Sequence, residues 1–351
     1  MIPIEIGSRQ IGPGYPCYLI AELSANHGQR LEVAMDLIRA AKEAGADAVK
    51  LQTYRPDTMT LDSNRPEFLI GEGTQWSGRK LYDLYSEAFT PWEWHAPLKD
   101  LANQLEMDLF STPFDDTAVE FLESLGVPAY KIASFELVDL PLIRLVAATG
   151  KPIIMSTGMA TEMEIQEAIV TARSAGASQI ALLKCNSAYP ASLEEMNLRS
   201  MPALSERHNV VVGLSDHTLD PLVTTTAIAL GASLIEKHFT LRRKDGGPDA
   251  AFSLEPAEFS HMVKAVRDTE AALGTIHFGP TERERPSTAF RRSLFAVADI
   301  RKGETFTHLN VRCIRPSYGL HPRYLQDILG GTATMDILRG TPLAWDLISK
   351  D

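Results

Sequence analysis

The sequence predicts an α/β fold, a (β/α)8 TIM barrel followed by a small C-terminal domain of short strands. Three observations support this prediction. Short apolar runs alternate with amphipathic segments of helical period along most of the 351 residues. Eight such runs occur, and each becomes polar at its carboxyl end. The pattern changes near residue 280, where a stretch rich in proline and charge precedes shorter strands.

The eight apolar runs are rich in Val, Ile and Leu, as expected for parallel strands buried on both faces. Eight strands favour a closed barrel over an open doubly wound sheet, which more often has fewer strands and a Gly-rich first turn. The runs are YLIAEL at 18–23, AVKLQT at 48–53, DLFSTPF at 108–114, AYKIAS at 129–134, PIIMST at 152–157, IALLKCNS at 180–187, VVVGLSDH at 210–217 and LIEKHFT at 234–240.

The segments between the runs predict helices. Stretches such as RLEVAMDLIRAAKEAG and EMEIQEAIVTARSAG place apolar residues three and four positions apart and end in Gly, the usual helix stop. One connection is unusually long, from Arg55 to Pro91, and contains Trp76, Tyr82 and Tyr85. Because long connections in compact domains are usually functional or contain a helix, we expect this one to form a lid.

The composition indicates a globular protein with small-molecule partners. Hydrophobic residues make up 44% and charged residues 23% of the chain, and the net charge is −11. That charge argues against nucleic-acid and anionic-membrane surfaces, which need clustered Lys and Arg. No apolar run approaches the ~20 residues of a membrane span, and the N-terminus lacks a signal-peptide layout, so a cytoplasmic location is expected.

The three cysteines, Cys17, Cys185 and Cys313, are far apart and form no CxxC pair. This spacing favours reduced thiols over a disulfide framework or a zinc site. Cys185 alone could act as a nucleophile, although a buried, unreactive thiol is the favoured interpretation.

Polar residues at the strand ends predict the active-site face, because the carboxyl ends of barrel strands carry the catalytic groups. For a single Ser or Thr, the ordinary polarity of a loop start is the favoured explanation. A Lys or Glu inside an apolar run is more informative, since a half-buried charge needs a partner or a ligand. The strand-end residues are Glu22, Lys50, Gln52, Ser111, Thr112, Lys131, Ser134, Ser156, Thr157, Lys184, Asn186, Ser187, Ser215, His217, Glu236 and His238.

Two lysines at this face, Lys50 and Lys131, predict an anion site. The hydroxyl groups of Ser134, Ser156 and Ser215 could donate further hydrogen bonds to the same anion. The alternative is that these lysines form structural ion pairs with the glutamates of strands one and eight.

Two histidines, His217 and His238, end adjacent predicted strands and could converge on one metal ion. A pair of imidazoles leaves positions for water and substrate oxygens, which is typical of a Mn²⁺ or Mg²⁺ Lewis-acid site. A structural zinc site would normally have four protein ligands. The alternative is a hydrogen-bonded pair within the core.

The segments IAELSANHG, AGADAVKLQTY, STGMA, LLKCNSAYP, GLSDHTL and RRSLFAVADIRKGE resemble those of the sialic acid synthase family, in order and over nearly the full chain. KLQTYRPDTMTLD, KIASFE and PDAAFSLEP are most similar to the pseudaminic acid synthase branch. The N-acetylneuraminate and legionaminic acid branches more often show KIPSGE or KIGSGE. Lys184 also stands where the neuraminate branch commonly has His.

This resemblance implies a transferase that condenses phosphoenolpyruvate with 2,4-diacetamido-2,4,6-trideoxy-L-altrose and releases phosphate by C–O cleavage. N-acetylneuraminate or legionaminic acid synthesis by the same mechanism is the alternative. The implied cofactor is a divalent metal, with Mn²⁺ expected and Mg²⁺ or Co²⁺ as alternatives. The resemblance assigns the metal to His217 and His238.

The resemblance also implies roles for the other strand-end residues. Lys50, Lys131, Ser134, Ser156 and Ser215 match phosphoenolpyruvate-binding positions. Glu22 and Glu236 match acidic residues beside the reacting carbon, and either one could handle the proton of water. Gln52, Thr112, Tyr189 and Asp249 match sugar-binding positions, and Phe135 and Phe252 either line an apolar sugar pocket or pack at the barrel rim.

The last sixty or so residues resemble the antifreeze-like (SAF, β-clip) domain of the family, with strands expected in RRSLFAVADI, VRCIRP and RGTPLAWDLI. The expected domains are residues 1–280, a linker at 281–290, and residues 291–351. In the family this domain caps the barrel of a partner in a domain-swapped homodimer, and Arg292 matches an arginine that contacts the sugar. Ice binding is disfavoured because no Thr-rich repeat occurs.

Two rival functions remain at this point. A Schiff-base aldolase is the nearest rival chemistry, because lysines end predicted strands two, four and six. A non-catalytic sugar-binding protein is the remote alternative.

Overall fold

The computed structural model describes residues 2–72, 76–188 and 191–349. The chain separates into two compact units, residues 1–274 and 275–351. Among the helices in the described ranges, none is both long and apolar enough to cross a membrane.

The first unit begins with an antiparallel hairpin, β1 (Ile4–Ile6) and β2 (Arg9–Ile11). Its isoleucines are buried in the same core as the barrel residues Tyr18 and Phe110. The sequence did not predict this hairpin, because strands of three residues are too short to show an alternating pattern.

Eight parallel strands form a closed barrel, which confirms the predicted fold class. All five positions of the first barrel strand are buried, which explains why its sequence is continuously apolar rather than alternating. The last strand pairs with the first, so that His238 lies beside Glu22. The barrel strands are β3 (Tyr18–Glu22), β4 (Ala48–Thr53), β5 (Asp108–Pro113), β6 (Tyr130–Ile132), β7 (Ile153–Ser156), β8 (Ile180–Cys185), β9 (Val211–Asp216) and β10 (Leu234–His238).

Helices connect the strands and bury their apolar faces against them. Local signals set several helix ends: Asp115 accepts a hydrogen bond from Ala118 N, and Thr161 and Glu164 form a capping box. The helices are α1 (Leu31–Glu43), α2 (Pro56–Met59), α3 (Leu81–Ala88), α4 (His95–Gln104), α5 (Asp116–Leu125), α6 (Leu140–Ala148), α7 (Glu162–Ser174), α8 (Ser200–His208), α9 (Pro221–Ala229) and α10 (Pro256–Leu273).

The long connection after β4 contains α2, a 3₁₀ turn and α3, so it is not a structureless loop. Trp76 Nε1 donates a hydrogen bond to Pro248 O at 3.1 Å, and Gln29 Nε2 donates one to Glu87 O at 3.0 Å. Pro248 and Gln29 both follow carboxyl ends of barrel strands. The connection therefore lies at the carboxyl face, as the lid hypothesis requires.

The second unit has its own small core, which includes Leu294, Phe306 and Ile328. Its regular elements are β11 (Ser293–Ala296), β12 (Val311–Ile314), α11 (Leu325–Ile328), β13 (Thr332–Ala333) and β14 (Ile348–Ser349).

The prediction of a strand over RGTPLAWDLI was wrong for most of that segment. A 3₁₀ turn occupies Trp345–Leu347, and only Ile348 belongs to a strand. Pro342 forms a single bridge with Phe295. Since proline lacks the N–H that a ladder needs, extended pairing does not continue through this position.

Candidate active site

Four charged side chains meet inside the carboxyl end of the barrel. Lys50 Nζ lies 2.6 Å from Glu22 Oε2 and 3.7 Å from Glu236 Oε2, and Lys131 Nζ lies 3.2 Å from Glu236 Oε1. All four side chains are at most 5% exposed. The structure therefore contains the ion pairs that the sequence offered as the alternative to an anion site.

The two glutamates differ in their protonation. Burial alone would raise the pKa of Glu236, but Lys131 and Lys50 lower it to about 2. Burial raises the pKa of Glu22 above its ordinary value despite the neighbouring Lys50. Glu22 is therefore the glutamate that takes up a proton more readily, while Glu236 stays ionised.

Three serines surround this charged group, and their hydroxyls have different partners. Ser215 Oγ donates to Glu236 Oε1 at 3.0 Å, and Ser134 Oγ accepts from Gly158 N at 3.1 Å. Ser156 Oγ is buried and has no hydrogen-bond partner within the described parts of the chain. A buried hydroxyl without a partner is unfavourable, which points to a ligand at this position.

The two histidines lie side by side, with ring centroids 5.3 Å apart, and Phe252 packs edge-on against both. His217 Nδ1 lies 2.8 Å from Asn186 O, and since a carbonyl only accepts, Nδ1 carries the hydrogen. His238 Nδ1 is buried and has no hydrogen-bond partner in the described residues. This does not fit the alternative interpretation of the sequence, in which the two histidines are hydrogen-bonded within the core.

These features fit a divalent metal. In its neutral form His217 carries its hydrogen on Nδ1 and therefore has a lone pair on Nε2, and burial lowers the pKa of His238 well below its ordinary value, so the His238 imidazole is neutral. No group of three or more His, Cys, Asp or Glu is arranged to hold a metal in the residues that the structure covers. Two imidazole ligands would leave positions on a metal for water and substrate oxygens.

A buried ion pair on the outer side of the barrel ties together the strands that carry these histidines. Lys237 Nζ lies 2.9 Å from Asp216 Oδ2, and both residues are 1% exposed. Asp216 also accepts hydrogen bonds from the Thr218 backbone and hydroxyl at 2.9 Å and from Thr224 Oγ1 at 3.0 Å. The saturated carboxylate fixes the strand end next to His217.

The three cysteines are free thiols, and Cys185 lies in this region. Although burial opposes it, contact with His217 lowers the pKa of the Cys185 thiol to about 7. Lys184 lies next to it but donates to Cys185 O at 3.2 Å, and it lines an open cavity of about 420 Å³ with Met159 and Glu195.

The predicted sugar-binding residues form a second group. Gln52 Nε2 donates to Glu22 Oε1 and to Ser24 Oγ, both at 3.0 Å, and the Ser24 hydroxyl donates to the Asp249 carboxylate. Thr112 Oγ1 accepts from Lys50 Nζ at 3.2 Å. The predicted sugar residue Tyr189 lies outside the described residues.

The remaining predicted residues have different environments. Phe252 is 4% exposed and contacts the histidines, whereas Phe135 is 63% exposed. Arg292 belongs to the second unit, where it is exposed and donates to Cys313 O at 3.5 Å.

Sequence reasoning missed two residues of this face, Ser24 and Glu136. Glu136 follows β6, and its Oε2 is buried without a hydrogen-bond partner in the described chain. Burial raises the pKa of Glu136 to about 7, and the charge of nearby Lys131 opposes the rise. A carboxyl group with this pKa is suited to proton transfer at neutral pH. Its position one residue beyond Phe135 in KIASFE was the available signal.

Comparison with known proteins gives a consistent result. The NeuB family profile matches residues 37–278, and the SAF domain profile matches residues 291–349. A pseudaminic acid synthase from Helicobacter pylori is 48% identical over 95% of this chain and 98% of its own length. An N,N'-diacetyllegionaminic acid synthase from Legionella pneumophila is 37% identical over 97% of both chains. The crystal structure of the spore coat polysaccharide biosynthesis protein SpsE from Bacillus subtilis has a TM-score of 0.68 and 35% identity, over 99% of both chains.

Proposed function

The chain belongs to the NeuB family, and from this premise we propose that it is a pseudaminic acid synthase. It condenses phosphoenolpyruvate with 2,4-diacetamido-2,4,6-trideoxy-L-altrose and releases phosphate. The observation that carries the proposal is the 48% identity to a pseudaminic acid synthase over nearly the whole of both chains, against 37% to a legionaminic acid synthase. The gathering of the predicted anion and metal residues in one buried group supports the condensation chemistry.

Phosphoenolpyruvate binds between Lys50 and Lys131, where it displaces part of their pairing with the glutamates. The phosphate and carboxylate of this substrate supply the negative charge that the lysines share with Glu22 and Glu236 in the free protein. Ser134, Ser156 and Ser215 add hydroxyl groups to the same site. The unpartnered Ser156 hydroxyl is the strongest support for an anion there.

The metal site is formed by His217 and His238. Synthases of this family are generally metal-dependent, and the expected metal is Mn²⁺. When bound, the metal supplies Lewis-acid polarisation of the aldehyde oxygen of the open-chain sugar. The contact of His217 with Asn186 orients the imidazole, and the ionised Glu236 keeps both lysines in place beside it.

The carbon–carbon bond forms when carbon 3 of phosphoenolpyruvate attacks the aldehyde carbon. The aldehyde oxygen takes up a proton and becomes a hydroxyl group, and the proton that water loses in the next step restores the balance. Water then adds to the cationic carbon 2, and phosphate leaves by cleavage of the C–O bond to give the 2-keto acid. The ionised Glu236 stabilises the cation, and Glu22 accepts the proton that water loses. Glu136 is a second acid–base group at this face.

The sugar lies beside Gln52, Thr112 and Asp249. Tyr189, which the resemblance also assigns to the sugar, lies outside the described residues. The methyl group at carbon 6 of the sugar needs an apolar contact, which Phe252 can provide at the histidine pair.

Arg292 reaches the sugar from the SAF domain of a partner in a homodimer. Replacing Arg292 with Ala should raise the KM for the sugar, whereas Arg291→Ala, at an equally exposed neighbour, serves as the control.

The test is phosphate release from phosphoenolpyruvate with the altrose, N-acetylmannosamine and the legionaminic acid precursor, each with Mn²⁺ and with EDTA. We expect the highest kcat/KM with the altrose and loss of turnover in EDTA. Higher activity with N-acetylmannosamine would contradict the branch assignment. Borohydride trapping of a covalent adduct would instead support the Schiff-base rival. If no phosphate is released with any of the three sugars, and EDTA has no effect, the result would support a non-catalytic sugar-binding protein.

A further inference from the structure

Ser24 lies two residues after the end of β3 and has a backbone conformation that serine rarely adopts. Its φ is +43°, and its side chain is 2% exposed. Ser24 is the first central residue of a turn that the 3.1 Å hydrogen bond from Asn26 N to Leu23 O closes. Positive φ at this turn position is dominated by glycine, because a Cβ crowds the backbone there. The turn by itself therefore favours Gly at position 24.

The contacts of the Ser24 hydroxyl give a reason why serine, rather than glycine, occupies this position. The hydroxyl accepts a hydrogen bond from Gln52 Nε2 at 3.0 Å and donates one to the Asp249 carboxylate. The nearby backbone N–H of Ala25 also favours the ionised form of the Asp249 carboxyl group. Strained backbone of this kind persists where the surroundings require it, and it is concentrated at functional sites.

The Ser24 contacts leave acceptor atoms for a ligand. Gln52 uses its Nε2 for Glu22 and Ser24, and its Oε1 accepts no hydrogen bond from the described residues. Because Ser24 holds the amide nitrogen, the carbonyl oxygen of Gln52 is fixed on the opposite side. An amide oxygen and a carboxylate both accept hydrogen bonds, so together they suit hydroxyl and N–H donors.

We propose that Ser24 is a positioning residue. Its hydroxyl fixes the orientation of Gln52 and Asp249, which in turn bind the sugar substrate. This inference rests on the proposed function, because it assigns those two residues to the acetamido sugar. The hydroxyl and acetamido N–H groups of the sugar donate to the oxygens that Ser24 orients. The contacts of the Ser24 side chain in the described residues are with Gln52 and Asp249, so we expect its main effect on the sugar, although Gln52 also bonds to Glu22.

The test uses Ser24→Gly and Ser24→Ala in the full-length protein, with separate KM values for the sugar and for phosphoenolpyruvate. Both variants lose the hydroxyl, but only glycine also relieves the backbone strain. We expect the sugar KM to rise about tenfold in both variants, the effect of one or two hydrogen bonds, with the KM for phosphoenolpyruvate within about twofold. The melting temperature of Ser24→Gly should exceed that of Ser24→Ala, because both variants lose the same hydrogen bonds and only glycine relieves the backbone strain.

The matched control is Glu106→Gly. Glu106 also has a positive φ, +55°, but it is exposed and lies in the turn before β5, at the amino end of the barrel. This variant should gain stability in the same way and leave both KM values unchanged. A purely structural role for Ser24 predicts the same behaviour at both positions.

Two results would overturn the inference in different ways. If Ser24→Gly keeps the wild-type sugar KM, or if both KM values rise equally, Ser24 does not position the sugar although the synthase function stands. If the wild-type protein releases phosphate with none of the three sugars, the proposed function fails and this inference fails with it.

Discussion

The two ends of the barrel both carry buried or half-buried charges, but they satisfy them differently. At the amino end, Asp47 accepts hydrogen bonds from Arg9, from Leu19 N at 2.9 Å and from Arg267 at 3.4 Å. Tyr18 donates to Asp108 at 2.7 Å in the same region. These donors and acceptors form hydrogen bonds with one another within the protein.

At the carboxyl end several polar atoms lack such partners. Ser156 Oγ, His238 Nδ1 and Glu136 Oε2 are buried without a hydrogen bond in the described ranges. Each such group costs on the order of 1–3 kcal/mol of folding free energy. The comparison indicates that the groups around Asp47 and Asp108 contribute stability, whereas several groups at the carboxyl end are less stable in the free protein and remain available for ligands. His208 Nε2, which has no partner in the described residues, is an exception near the amino end. The four predictions below test this division.

The largest expected effect is on turnover. His238→Ala should lower kcat/KM about a thousandfold, because Lewis-acid assistance supplies several kcal/mol and each ~1.4 kcal/mol is a factor of ten. Thermal unfolding of the metal-free variant should show no loss of stability, since the orphaned nitrogen is removed. His208→Ala is the control: it removes another buried histidine with an unpartnered nitrogen, at the end of α8, and should leave turnover unchanged.

The second effect is on stability alone. Asp47→Asn should lower the free energy of unfolding by about 1–2 kcal/mol, because Arg9 and Arg267 lose an ionised acceptor at a partly exposed site. Chemical denaturation measures this change. The kcat/KM should stay within about twofold of the wild type. A fall in kcat/KM with normal stability would show that the amino end also takes part in function.

A matched pair of serines gives the third prediction. Ser156→Ala removes a hydroxyl without a protein partner, so the KM for phosphoenolpyruvate should rise about fivefold while the melting temperature is unchanged or higher. Ser111→Ala removes a hydroxyl that lies 2.7 Å from Thr53 Oγ1, so it should lower the melting temperature with normal kinetics. Steady-state kinetics and calorimetry on both variants measure the two effects. If both variants behave alike, the division between ligand groups and structural groups is wrong.

The smallest expected effect is on how the folding stability depends on pH. The pKa of Glu136 is about 7 in the folded protein against an ordinary value of 4.5, so the folded state holds a proton that the unfolded state has lost. Between these pH values the stability of the wild type should fall as the pH rises, relative to Glu136→Gln. Melting temperatures at pH 5 and pH 8 measure the difference. An equal difference at the two pH values would contradict the raised pKa.

Much of the fold was predictable from local pattern. The eight strands stand where their apolar runs predicted, because a parallel strand buried on both faces must be continuously apolar. The terminal strand of the second unit was predicted wrongly, since its hydrophobic residues are fixed by a turn at Trp345–Leu347 rather than by a ladder.

The sequence by itself determined which residue types reach the carboxyl face, because strand order and polarity fix the end at which Lys50, His217 and His238 emerge. Only the tertiary structure decided how those residues pair. The ion pairs of Lys50 and Lys131 and the bond from Ser24 to Asp249 join residues that lie 28 to 225 positions apart in sequence. These pairings also give Glu22 and Glu236 their different pKa values. Such contacts depend on distance and burial in three dimensions, which no local pattern encodes.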